Sequence, residues 1–89
     1  MGDEEYRALQ NVLVARPDAG KRIQGSGGLR KLRWSGLGKG KRGGVRIIYY
    51  WHRKKAIILM LLVFAKKERS DLTQDQLKVL KSIVEKEFK

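Results

Sequence analysis

Residues 56–65 read Ala-Ile-Ile-Leu-Met-Leu-Leu-Val-Phe-Ala, ten consecutive apolar side chains. A membrane-spanning helix needs about 20 such residues, so a run this short belongs inside a protein, as a buried strand or core segment. A strand shows alternate residues to its two faces, and here both alternations are apolar. Such a strand is expected at the centre of a sheet or beneath covering helices. Lys54 and Lys55 before the run, and Lys66 and Lys67 after it, mark where its ends meet water. The chain has 89 residues, which makes one domain over 1–89 with a modest core.

The remaining segments supply partners for that strand. Residues 3–15 read as a helix, with Tyr6, Leu9, Val12 and Leu13 on one face and Asp3, Glu4 and Glu5 at the favourable end of its dipole. Arg16-Pro17 ends it, because the residue before proline avoids helical torsions. Residues 17–23 have room for one more helical turn closing near Gly20, and Gly25-Ser26-Gly27-Gly28 is a turn. Residues 29–35 and 45–51 read as strands. In the first, Leu29, Lys31 and Arg33 share one face, and Arg30, Leu32 and Trp34 the other. Residues 36–44 hold five glycines and three cations, a basic hairpin loop, and 52–55 form a tight polar connection. Thr73 and Gln76 make a capping box for a helix over 73–88, whose stripe is Leu77, Leu80, Ile83, Val84 and Phe88. Short connections between three successive strands favour an antiparallel meander.

The charge pattern bears on function. Between Ala19 and Lys67 the chain has no Asp or Glu and fourteen Lys and Arg residues, and the net charge is +12. Such a surface suits a polyanion, most commonly nucleic acid. The chain has no cysteine, which fits a reducing, cytoplasmic setting and removes disulfide and thiolate chemistry, and no signal peptide is visible. One histidine, His52, leaves no zinc ligand set, and without an orienting partner it reads as a solvated turn residue. Gly38, Gly40 and Gly43 match G-x-G-x-x-G, but a strand follows where a dinucleotide site needs a helix. The better reading is a hairpin loop on which Lys39, Lys41 and Arg42 grip phosphates. Paired carboxylates are absent from the strands. Any catalysis therefore runs on Lys, Arg and Tyr, which help most where negative charge builds up, as on a phosphorane.

The blocks Gly27-Gly28-Leu29-Arg30-Lys31-Leu32-Arg33-Trp34, then Gly-Lys-Gly-Lys-Arg-Gly-Gly-Val-Arg-Ile-Ile-Tyr-Tyr over 38–50, then Phe64-Ala65-Lys66-Lys67-Glu68 and Asp71-Leu72-Thr73, together resemble the RelE superfamily of toxins, closest to its HigB-like branch. The resemblance implies an α+β fold: a central antiparallel sheet of three or more strands with helices packed on one side. It implies a type II toxin that cleaves messenger RNA on the ribosome, needs no cofactor or metal, and is neutralised by a cognate antitoxin. In such toxins basic residues promote attack of a ribose 2′-OH on the adjacent phosphate, giving a 2′,3′-cyclic phosphate and a free 5′-OH.

Carried onto this chain, the resemblance assigns the chemistry to Arg46, Lys67, Lys31 and Arg33. Arg46 and Lys67 would stabilise the phosphorane and leaving group, and Lys31 or Arg33 would orient the 2′-OH or hold the phosphate. Arg30, Lys39, Lys41, Arg42 and Lys66 would contact RNA or the ribosome. Two departures matter. A tyrosine that serves as acid–base in RelE itself falls here at Thr73, which reads as a helix cap. Relatives also usually carry an N-terminal strand ahead of the first helix. A chain without it is expected to expose a sheet edge, as a truncated or engineered form, a mis-started reading frame, or a homo-oligomer completed by strand exchange. The rival reading is an inactive, toxin-derived RNA- or ribosome-binding domain. A DNA-binding domain is weaker, since neither helix is notably basic.

Overall fold

A computed structural model describes residues 3–34, 44–65 and 72–88. The order is α1 (Asp3–Ala15), β1 (Lys21–Arg22), β2 (Leu29–Trp34), β3 (Val45–His52), β4 (Ile57–Ala65) and α2 (Gln74–Phe88). The four strands form one sheet in the order β1-β2-β3-β4, and every neighbouring pair is antiparallel. The α+β class and the meander are as expected. The further helical turn expected over 17–23 is not formed: Lys21 and Arg22 instead pair with Lys31 and Arg30 as the short strand β1.

The helices do not share one side of the sheet. Leu9 and Leu13 of α1 pack with Ile47 and Tyr49, whereas Leu80 and Val84 of α2 pack with Leu29, Ile48 and Phe64. Consecutive strand residues face opposite ways, so Ile47 and Ile48 place α1 and α2 on opposite faces. The cause is β3, where Ile47, Ile48 and Tyr49 are all fully buried. A strand apolar on both faces would leave one face wet if both helices lay on the other.

Of the two places expected for β4, it takes the one beneath covering helices. Among the described residues it lies at the edge of the sheet, with side chains in the clusters of both helices, although Ile57 and Val63 are more than two-fifths exposed. A bulge opposite Ile48 and Tyr49 pairs these with Leu62 and Met60, leaving Leu61 as the extra residue. The bulge lets Leu59, Leu61, Leu62 and Phe64 all join the α2 side.

The helix stripes are narrower than the sequence suggests. In α1 only Leu9 and Leu13 are buried, while Tyr6 and Val12 are about two-fifths exposed. In α2 Leu80 and Val84 are buried and Ile83 is exposed. The capping box forms as expected: the Thr73 N–H donates to Gln76 Oε1 at 2.8 Å, and the Gln76 N–H donates to Thr73 Oγ1 at 3.1 Å.

Two polar staples hold the loops to the sheet. Ser26, almost fully buried, donates its hydroxyl to the Ile23 carbonyl at 2.6 Å and accepts the Leu29 N–H at 3.0 Å, closing the β1–β2 hairpin. The Tyr49 hydroxyl donates to the Pro17 carbonyl and accepts the Gly20 N–H, both at 2.8 Å. A Cβ on Gly20 would stand 2.8 Å from the Tyr49 ring and 3.0 Å from the Lys31 carbonyl oxygen, so only glycine fits beneath that ring.

Tyr49→Phe leaves the buried Gly20 N–H without an acceptor and is expected to cost about 1–3 kcal/mol in urea unfolding. Burial, the largest influence, pushes the Tyr49 phenol above its ordinary value, while the Gly20 N–H and Arg30 pull it down. A raised folded pKa means that the unfolded chain loses this proton first. Tyr49 therefore adds stability that is complete below about pH 10 and is lost as pH rises toward the folded value. Stability measured across that alkaline window should fall in the parent and fall less in Tyr49→Phe.

Candidate functional site

β2 and β3 bring the strand cations together. Arg33 and Arg46 are direct cross-strand partners, and Phe64 stands opposite Arg46 on the far side. Lys31 lies two residues from Arg33 on the same face, beside Ile48. All three cations therefore share the face that α2 packs against. α2 crosses that face from Leu62, which lines a cavity with Asp75, Gln76, Val79 and Leu80, to Tyr50 and His52, whose rings lie 5.5 and 4.5 Å from that of Phe88. The Arg33–Arg46–Phe64 row falls beyond Leu62, at the end of the sheet where α2 begins.

The row is electrostatically unfavourable by itself. Like charges directly opposite in an antiparallel pair are destabilising by roughly 0.2–1 kcal/mol. Arg33 is exposed, but Arg46 is partly buried, and its Nε is buried with no hydrogen-bond partner among the described residues. Arg46 thus sets a positive charge at this end of the sheet, of the kind that can stabilise an anion.

The other expected site residues divide in two. Arg30 lies on the opposite face, over α1's side of the sheet, since it pairs with Tyr49. Its Nη1 donates to the Gly20 carbonyl at 2.7 Å, and its guanidinium carbon is 5.9 Å from the centre of the Trp51 ring. It thus braces the segment before β1 and cannot share an RNA contact surface with Arg46. Lys39, Lys41, Arg42, Lys66 and Lys67 lie outside the described residues. Trp34, Val45 and Ala65, which flank those segments, sit together at the Arg33–Arg46 end.

His52 is not the solvated turn residue expected. It ends β3, half-buried, with its ring against Phe88, and Nδ1 accepts the Lys55 N–H at 3.2 Å across the β3–β4 turn. Six residues of strand, about 20 Å, separate it from Arg46. It is a structural side chain. Tyr49 is likewise structural: it is buried on the α1 side and spent on the 17–20 segment.

The family described as "RelE toxin of RelE / RelB toxin-antitoxin system" matches residues 7–89. The chain belongs to the RelE toxin family. Members are toxins of toxin–antitoxin systems and are typically ribosome-dependent messenger RNA nucleases. Among the described residues, no helix of this RelE-family chain is long and apolar enough to cross a membrane.

Alternation in β2 put Lys31 and Arg33 on one face and the resemblance named Arg46, but a second grouping was missed. Arg22, Arg30, Arg53 and Lys54 line an open cavity of about 480 Å³ with Tyr50 and Trp51, at the opposite end of the sheet. The only signal was the block of aromatics at 49–51 followed closely by the cations at 53–55. If the Arg33–Arg46 row is maintained at a cost to the fold, Arg33→Thr should stabilise the domain by about 0.2–1 kcal/mol in urea unfolding while weakening its binding to RNA.

Proposed function

We propose that this RelE-family toxin, by its sequence blocks one of the HigB-like branch, is a metal-independent endoribonuclease that cuts messenger RNA on the ribosome. The observation that carries the reading is the Arg33–Arg46 cross-strand pair with Lys31 on the same face. Three cations brought from two strands to one surface suit a phosphodiester, and the partly buried Arg46 suits the extra charge of its transition state.

In this reading the ribose 2′-oxygen attacks the neighbouring phosphorus as its proton leaves, and the bond to the 5′-oxygen breaks. The products are a 2′,3′-cyclic phosphate and a 5′-hydroxyl. Arg46, joined by Lys67, stabilises the phosphorane oxygens and the departing oxygen, while Lys31 or Arg33 holds the phosphate or orients the 2′-OH. Lys39, Lys41, Arg42 and Lys66 contact RNA or the ribosome. A cognate antitoxin neutralises the toxin by covering the basic face with an acidic segment, which charge complementarity favours.

The test is in vitro translation of a defined message, with its 5′ ends mapped by primer extension. Discrete cuts are expected, with Arg46→Ala and Lys67→Ala each lowering cleavage about 10²–10³-fold. Uncut message together with salt-sensitive RNA binding would make the domain an inactive RNA- or ribosome-binding relative.

A further inference from the structure

The cavity at the other end of the sheet is built differently from the cation row. Arg22 and Arg30 face each other across β1 and β2, so it too begins with a like-charged cross-strand pair. Arg53 and Lys54 add two exposed cations from the β3–β4 turn. Trp51 stands among them, its ring centre 5.0 Å from the Arg53 guanidinium carbon and 5.9 Å from that of Arg30. Tyr50 completes the wall.

Cations around a partly buried indole match the chemistry of a phosphate attached to a flat, stackable ring. Base–aromatic stacking supplies one part of such binding and guanidinium–phosphate pairing the other. An acidic peptide would satisfy the cations but not the rings. Arg46 and Trp51 are five residues apart on β3, about 17 Å, so one ligand atom cannot serve both places.

We propose that this cavity is an anchoring site for a nucleotide of single-stranded RNA, separate from the cation row: the base stacks on Trp51, and Arg22, Arg53 and Lys54 hold the adjacent phosphates. The inference deepens the RNA-directed reading of the chain and rests on its acting on RNA, but not on its cutting RNA. The site holds the strand at a distance from the scissile bond, so it contributes to affinity and not to bond breakage.

The test uses a 12-nucleotide 2′-O-methyl RNA, which cannot undergo 2′-OH attack, so binding is read whether or not the protein is a nuclease. The triple variant Arg22→Gln/Arg53→Gln/Lys54→Gln is compared with Arg7→Gln/Lys78→Gln/Lys86→Gln, which removes the same charge from exposed positions on the helices. Fluorescence anisotropy should show the cavity variant weakened about tenfold beyond the helix variant. Its salt slope should be lower by about 0.7 for each phosphate that is no longer neutralised. In a Trp34→Phe chain, Trp51 is the sole tryptophan, and its emission should be quenched by the RNA but not by inorganic polyphosphate or polyglutamate. Equal losses of affinity in the two triple variants overturn the site, as does a quench that is absent or is reproduced by either polyanion. Retained binding with no cleavage of translated message would sink the nuclease reading alone.

Discussion

Burial of β3 on both faces is the constraint from which the rest follows. Ile47, Ile48 and Tyr49 are successive residues, all fully buried, so neither face of the sheet can be left to water. One helix must cover each side, and α1 and α2 do so with Leu9 and Leu13 on one face and Leu80 and Val84 on the other. Truncating any of these leucines would leave a cavity in a thin core, typically at a cost of about 2–5 kcal/mol. The Tyr49 hydroxyl extends the same constraint to the chain between α1 and β1, since a buried phenol must find partners and takes them from Pro17 and Gly20.

Around this core the sheet carries positive charge in opposed pairs: Lys21 with Lys31, Arg22 with Arg30, and Arg33 with Arg46. Each is a local conflict in an otherwise consistent fold. Such conflicts are expected where function is retained at the expense of stability. Arg33–Arg46 falls at the row where α2 begins and Arg22–Arg30 at the cavity around Trp51, with Lys21–Lys31 between them. The apolar centre between them, Ile47 to Tyr49, is where the fold is secured.

Both helices, the capping box and three of the four strands were legible because they rest on local signals: a 3.6-residue period, a Thr-x-x-Gln pair, and alternation in β2. The sharing of one face by Lys31 and Arg33 followed from the same alternation, and the structure adds that Arg46 faces Arg33 directly. The short strand β1 was not legible. Two exposed residues carry no period, and their pairing is fixed by the Ser26 staple and by Gly20 lying under Tyr49. Arg30 looked like one more RNA contact; its place on the opposite face followed from the same alternation, but that its guanidinium is taken up by the Asp18 and Gly20 carbonyls could be seen only in the structure.

The sequence by itself determined the class of element at nearly every described position, the excess of cations, and the absence of carboxylate pairs from the strands. Those properties are written in the identity and spacing of neighbouring residues. Only the tertiary structure decided on which side each helix lies, that β4 is an edge strand among the described residues, and where its register slips. A strand apolar at every position has no alternation to read, so the bulge at Leu61 and the face each residue chooses are settled by what packs against it.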